Sequence, residues 1–209
     1  MLQVCRLCAT QARHFGTRGA NVYFHCPTCD GVFLDSACLL GPADERARYE
    51  QHHNEATPEY EAFLSRLAVP LLRRLSPGNK GLDFGCGPVP VLSRILERAG
   101  MHMQHFDPFF FPQAAALSVA YDFVTCSETA EHFHFPSQEF DRLHGLIRPG
   151  GHLGVMTQRK DSWEGFWEWH YPRDPTHVFF YSEKTFRWVA AKYQWHAEFE
   201  PQGVVIFSA

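Results

Sequence analysis

Lys80-Gly81-Leu82-Asp83-Phe84-Gly85-Cys86-Gly87-Pro88 is the stretch whose reading decides the fold. Lys80 to Phe84 reads as a buried strand carrying an acid, Asp83, at its end. Gly85 and Gly87 lie in the turn that opens a helix over 89–99, closed by Gly100. Glycines there let the backbone approach a ligand closely, and the helix's first amides point at it. A second strand over 102–106 ends in Asp107, about 20 residues past Gly87. An acid at that distance can accept both hydroxyls of a ribose. The pattern predicts a site for a nucleotide-like cofactor.

Downstream the alternation of strand and helix continues. Strands are expected over 122–127 and 152–158, at the last two segments 195–200 and 204–209, and helices over 138–147 and 183–192. Ser137 is the expected N-cap of the first of these helices, and Pro149-Gly150-Gly151 the turn into the strand after it. Such alternation argues an α/β fold: a Rossmann-like, doubly wound, mostly parallel sheet. Upstream, 41–79 reads as a helical lead-in interrupted near 54–58. Tyr60, Phe63, Leu64, Leu67, Leu71 and Leu75 form one apolar stripe at helical spacing.

Residues 1–40 carry Cys5-x-x-Cys8 and Cys26-x-x-Cys29, separated by 17 residues. Each knuckle supplies two thiolates from one tight turn, and four soft donors suit a tetrahedral Zn2+. The expected role is structural, in a small zinc-ribbon module with strands at 22–26 and 31–35. Seven cysteines without a secretory signal read as metal ligands rather than a disulfide framework. Cys38 lies outside the pattern and reads as a small buried hydrophobe.

The chain has 209 residues, 45% of them hydrophobic and 19 of them Phe. That is enough for one full α/β domain, over 80–209, with an appendage. The net charge of −4 argues against a broad nucleic-acid footprint. The sequence has no signal peptide or run of about 18 apolar residues, so a cytoplasmic, non-membrane protein is expected. Oligomeric state is not legible.

GLDFGCGP at 81–88, the acid of Phe106-Asp107-Pro108, YDFVTCSETAEHF at 121–133 and LIRPGGHLGVMT at 146–157 occur in the order of one family. Together they resemble the class I S-adenosylmethionine-dependent methyltransferases over about 80–209 and the helical lead-in. The resemblance implies a parallel sheet with a reversed last strand. It implies the methionine moiety of S-adenosylmethionine beside Asp83, Phe84, Gly85, Cys86 and Gly87, and the ribose on Asp107. Ser127 and Glu128 would face the methyl donor. The sequence departs from the family in two places: Pro88-Val89 stands where a third glycine is usual, and only 14 residues separate Asp107 from Asp122. That is too short for helix, strand and helix, so the usual edge strand is expected to be missing or vestigial. Pro108, Phe109, Phe110 and Phe111 are then candidates to cover the adenine. Some ribosomal-RNA guanine methyltransferases and some deoxysugar C-methyltransferases similarly carry a cysteine-rich N-terminal domain.

Methyl transfer needs an acceptor atom in line with the methyl and often a base. Glu131 and His132 follow one strand end. His170, Tyr171, Arg173, Asp174 and His177 lie in a segment, 170–182, expected to close over the acceptor. His177 is the first choice of proton acceptor and His132 the second, with Arg173 and Asp174 orienting the acceptor. His52 and His53 on the lead-in, and the patch Trp163, Trp167 and Trp169, are further candidates with ordinary packing or solvation as the alternative. The expected reaction is methyl transfer to a small-molecule or biosynthetic-intermediate acceptor. The competing readings are an RNA methyltransferase using the ribbon as adaptor, and a non-catalytic zinc-ribbon interaction protein.

Overall fold

The computed structural model describes residues 2–51 and 55–209. His52 and His53 lie outside the described residues. Two sheets organise the chain. The larger has six strands in the order β10-β11-β8-β7-β5-β6. Its parallel part is β5 (Lys80–Phe84), β6 (His102–Phe106), β7 (Tyr121–Ser127) and β8 (Ile147–Met156). β10 (His196–Phe199) and β11 (Val204–Ser208) close it antiparallel. This is the doubly wound sheet with a reversed last strand.

β6 is the sheet edge, so the short 108–121 segment builds no strand beyond it. The chain instead makes a bridge from Asp107 to Phe111 and a short 3-10 turn at Ala114–Leu117 before entering β7. Tyr121 secures that return by donating its hydroxyl to the Ala116 carbonyl and Gln104.

Helix positions depart from expectation where proline intervenes. The helix after the glycine turn, α3 (Val91–Arg98), starts at 91 rather than 89, with Pro90 at its cap. Proline disfavours helical backbone in the residue before it, so Pro88 and Pro90 delay the start. The later helix, α4 (Pro136–Gly145), is capped by Phe135, not Ser137. Pro136 at the first helical position pre-sets the backbone two residues earlier. β8 starts at Ile147 and runs through Pro149-Gly150-Gly151, with Gly150 at φ +76°. The expected turn is a distortion inside a strand.

The lead-in forms α1 (Pro42–Tyr49) and α2 (Pro58–Leu72). Thr57 caps α2 by accepting the Tyr60 amide at 3.2 Å. Leu64, Leu67 and Leu71 of its stripe pack on Val91, Leu96, Phe123 and Ile206. α5 (Glu183–Tyr193) begins with a capping box made by Ser182 and Thr185.

The second sheet has the order β1-β2-β3-β4-β9. β3 (Asn21–His25) and β4 (Val32–Leu34) answer the two expected strands. β1 (Leu2–Val4) and β2 (Gln11–Arg18) extend them. β2 bulges between His14 and Gly16. A Cβ at Gly16 would stand 2.3 Å from the Trp167 ring, so the strand admits only glycine there. The fifth strand was not expected. β9 (Phe179–Phe180) comes from the 170–182 segment and pairs with β4. That segment is therefore a strand of the cysteine-bearing sheet as well as a wall of the cleft beside it. Trp163 and Trp167 pack against the same sheet. Trp163 donates to the Asp30 carbonyl and Trp167 stacks on Phe15.

Phe179 is fully buried and stacks on Phe33 with ring centroids 5.8 Å apart. Phe179→Ala is expected to cost about 3–5 kcal/mol. Denaturant unfolding should show the loss in the cysteine-bearing sheet and the large sheet together. Two separated transitions, with only one shifted, would contradict the coupling.

Candidate active site

The glycine turn stands where β5 hands the chain to α3. Gly85 has φ +75°, and a Cβ on it would meet Thr129 at 2.2 Å. Only glycine fits both constraints. Its amide donates to the Phe106 carbonyl at 2.8 Å, which locks the turn to the end of β6. Asp107, at that end, is nearly buried. One carboxylate oxygen accepts the Gly87 amide at 3.0 Å. The other accepts the amides of Phe109 and Phe110 at 2.9 and 3.1 Å. A carboxylate has about four acceptor positions, so Asp107 keeps capacity for hydroxyl donors from the cavity. Asp83 is buried, accepting the hydroxyls of Ser93 at 3.1 Å and Thr125 at 2.9 Å. Burial pushes its carboxyl up to about 6, against the lowering effect of those hydroxyls.

These groups face one cavity of about 550 Å³. All ten expected cofactor residues line it: Asp83, Phe84, Gly85, Cys86, Gly87, Asp107, Pro108, Phe109, Ser127 and Glu128. Phe110 lines it too, and Phe111 instead packs edge-on against His105. Glu128 sits at φ +47°, with its amide held by the Met156 carbonyl at 2.7 Å. Burial, then the neighbouring Glu131, pushes the Glu128 carboxyl up to about 9.

A polar group of residues lines the same cavity. Glu131, His132 and His177 line it, with Tyr49 and Glu45 from α1 beside them. Glu131 is completely buried and accepts the Tyr171 hydroxyl. Thr157 stands 3.0 Å behind that hydroxyl. Burial raises the Glu131 carboxyl. Burial pulls His177 down to about 4, so its imidazole is neutral near pH 7. The rings of His132 and His177 lie 4.8 Å apart. Tyr49 meets His132 edge-on at 5.2 Å and donates to Glu45 at 2.7 Å.

Two expected residues stay outside. Arg173 is exposed, with a long contact to the Glu168 carbonyl. Asp174 pairs with Arg48 of α1 at 2.7 Å and accepts the Thr176 hydroxyl and amide. Burial alone would raise its carboxyl, but Arg48 and Thr176 outweigh that and hold it well below the usual range. Neither residue lines the cavity. Asp174 ties α1 to the loop that carries His177. Sequence reasoning missed Glu45 and Thr157, which carried no motif.

The four cysteines converge. Their sulfurs all lie within 4.8 Å of one another, with Cys5–Cys29 at 3.6 Å and Cys8–Cys26 at 3.3 Å. A tetrahedron with Zn–S of about 2.3 Å needs sulfurs roughly 3.8 Å apart, so the set fits one ion. The two knuckles repeat each other. Ala9 and Asp30 are both left-handed, and their amides donate back to the carbonyls of Cys5 and Cys26 at 2.9 and 2.8 Å. Cys38 stands apart, near the Ala20 carbonyl.

Comparison with known proteins bears on the family and the fold. The family profile described as "Methyltransferase domain" matches residues 51–198. The chain is 32% identical over 82 residues to the ubiquinone biosynthesis O-methyltransferase of Cronobacter sakazakii, covering 39% of this chain and 34% of that one. The match thus spans about a third of that relative's length. Among solved structures, the fold is similar to the Burkholderia thailandensis 1,6-didemethyltoxoflavin-N1-methyltransferase, solved with 1,6-didemethyltoxoflavin and S-adenosylhomocysteine. The TM-score is 0.55 at 14% identity, over 95% of this chain and 97% of that one. It is also similar to a Haloferax volcanii structure of the Trm112 methyltransferase activator in complex with a putative methyltransferase. There the TM-score is 0.58 at 12% identity, over 79% of this chain and 97% of that one. No helix among the described residues is long and apolar enough to cross a membrane.

Asp83 carries a pH signature. Its carboxyl is raised in the folded chain to about 6 from an ordinary 3.8. Between those values the folded state holds a proton that the unfolded state has lost. Its contribution to stability is therefore complete below about pH 4 and falls as pH rises through about 6. The loss is about 3 kcal/mol. Asp83→Asn should flatten that part of the stability curve, measured by urea unfolding between about pH 4 and 7. An unchanged slope would assign the proton elsewhere.

Proposed function

The chain belongs to the methyltransferase-domain family, and on that premise we propose that it transfers a methyl group from S-adenosylmethionine to a hydroxyl of a small-molecule acceptor. The observation that carries this reading is the meeting of two groups of residues in one cavity. Asp83 and Asp107, at the ends of adjacent parallel strands, flank the glycine turn. Glu131, His132 and His177 line the same cavity. The first group suits a cofactor with a ribose and a cationic amino-acid tail. The second suits a hydroxyl that must give up its proton.

In this reading Asp107 accepts the ribose hydroxyls while its backbone bonds hold the glycine turn in place. Asp83 faces the methionine moiety, where a cationic amino group favours its ionised form. Phe109 and Phe110 cover the adenine in place of the missing edge strand. Ser127 and Glu128 face the sulfonium. S-adenosylmethionine supplies an electrophilic methyl group; the chain's task is to aim it and to receive the acceptor. The curated relatives act on an oxygen atom, as their name states. The toxoflavin enzyme acts on a small molecule. Both support a small acceptor. A structural Zn2+ on Cys5, Cys8, Cys26 and Cys29 completes the proposal.

Two experiments test it. Each hydrogen bond to the Asp107 carboxylate contributes about 1.5–3 kcal/mol. Asp107→Ala should therefore weaken S-adenosylmethionine binding at least ~10-fold in a calorimetric titration. An unaltered Kd would refute the ribose assignment. For the ribbon, purified protein should carry one equivalent of zinc beyond any other metal, lost in Cys26→Ser with melting of the first strands. Disulfides at these positions would remove the metal.

A further inference from the structure

The two cysteine knuckles reach the cavity through one segment. In the first knuckle, Arg6 lies between Cys5 and Cys8. Its Nη2 donates to the Leu34 and Val178 carbonyls, both at 3.0 Å. In the second, Asp30 follows Cys29, and its Oδ2 accepts the Ser182 hydroxyl at 2.7 Å. The knuckles therefore grip the stretch 178–182 at both of its ends. Between those grips Phe179 stacks on Phe33 and packs over Gly31, where a Cβ would stand 2.6 Å from the Phe179 ring. The Leu34 amide adds a further bond to the Val178 carbonyl at 3.0 Å.

The same stretch holds the cavity wall from its other side. The Val178 amide donates to the Glu131 carbonyl at 2.8 Å, and the Tyr181 hydroxyl donates to the Ala130 carbonyl at 2.9 Å. His177 immediately precedes Val178, and its Nδ1 lies 2.8 Å from the Tyr171 carbonyl oxygen. A carbonyl only accepts, so Nδ1 carries the ring's proton and donates it. Glu131 and His177 both line the cavity. The cofactor residues are held differently, by bonds among the turns of the large sheet itself. The Gly85 amide donates to the Phe106 carbonyl, and the Gly87 amide to Asp107.

Arg6 is costly where it stands. Its Nε and Nη1 are buried without partners among the described residues. A guanidinium in such a place loses hydration, and an apolar side chain would pack there at lower cost. What the guanidinium supplies, and an apolar residue could not, is a fixed spacing between the end of β4 and the residue after His177. We propose that Arg6 and Asp30 are positioning residues. Through them the cysteine knuckles set where Glu131 and His177 stand on the cavity wall, while the large sheet sets the cofactor residues. A ribbon that served stability alone would support both groups alike. Assigning that wall to the methyl acceptor rests on the methyl-transfer reading; the coupling does not.

The test compares Arg6→Met and Asp30→Gly with wild type, as full-length protein whose zinc content is measured alongside. Glycine suits the left-handed backbone of Asp30, at φ +62°. Nitrogen-15 NMR reads the tautomer of His177, hydrogen exchange reads the amides of 171–181, and calorimetry reads S-adenosylmethionine affinity. Wild type should show His177 as the single Nδ1–H tautomer. Each variant should mix the tautomers and speed exchange over 171–181 ~10-fold or more. Zinc content should stay as in wild type, and the Kd for S-adenosylmethionine within ~2-fold of it. Arg6→Lys and Asp30→Asn, which keep a donor and an acceptor in place, should restore most of the His177 signature. An unchanged tautomer and unchanged exchange in both variants would overturn the proposal. So would exchange that rises equally in β5 and β7, because a general loss of stability has no preference for one wall. If Arg6→Met does not fold, Asp30→Gly decides by the same readings. Wild type that binds no S-adenosylmethionine removes the methyl-transfer reading, and the tautomer and exchange comparison still decides the coupling.

Discussion

Two hydrogen bonds from one guanidinium hold the molecule's halves in register. Arg6, between Cys5 and Cys8 in the first knuckle, donates from Nη2 to the carbonyls of Leu34 and Val178, both at 3.0 Å. Leu34 ends β4, and Val178 follows His177. The same residue lies over the Phe33 ring at 5.5 Å, and its carbonyl accepts the Ser137 amide at the start of α4. Its Nε and Nη1 are buried without partners among the described residues, and burial pulls the guanidinium down to about 10. A charge in that position is costly, and its removal takes a donor from each carbonyl, although Val178 still accepts the Leu34 amide at 3.0 Å. The cysteine knuckles therefore do more than staple an appendage. Through Arg6, Phe33 and Phe179 they fix where the 170–182 segment runs, and so where His177 points.

The cavity collects groups that folding alone would not choose. Asp83, Glu128 and Glu131 all have carboxyls raised first by burial. Glu128 adopts a left-handed backbone that favours glycine. Such concentrations of buried acid and strained backbone mark functional sites, because nothing in packing demands them. Asp83 lies by the glycine turn, where a cationic cofactor tail would offset an acid, and Glu131 lies with His132 and His177 on the wall of the same cavity.

The missing edge strand illustrates how few interactions a turn needs when they are well placed. Without a strand beyond β6, the chain after Asp107 has only its bridge to Phe111 for a ladder. Asp107 adds three backbone amides gathered on one carboxylate. The residue expected to meet a ribose thus also shapes the wall around it. Phe109 contacts Tyr49 of α1 at 5.5 Å, which closes the gap from the other side.

The sequence by itself determined the parts that rest on local chemistry. Two-residue spacings made the cysteine knuckles, because a tight turn brings its own ends together. Glycines at Gly85 and Gly87, followed by an acid about one strand-helix-strand unit later, placed the cofactor end of the cavity. In a parallel sheet those positions are neighbours by construction. The short gap between Asp107 and Asp122 foretold the lost edge strand by length alone. What only the tertiary structure decided involved partners distant in sequence. The two-residue β9 has no periodicity to read, so its pairing with β4 was invisible. Asp174 looked like an acid of the cleft, yet Arg48 from α1 claims it. Glu45 and Thr157 gained their places only when α1 and the end of β8 met the same corner. The carbonyls that hold the imidazoles of His132 and His177, those of Thr176 and Tyr171, were likewise set only by the fold. Spacing along a chain specifies a turn, but a side chain's partner across the fold is set by packing.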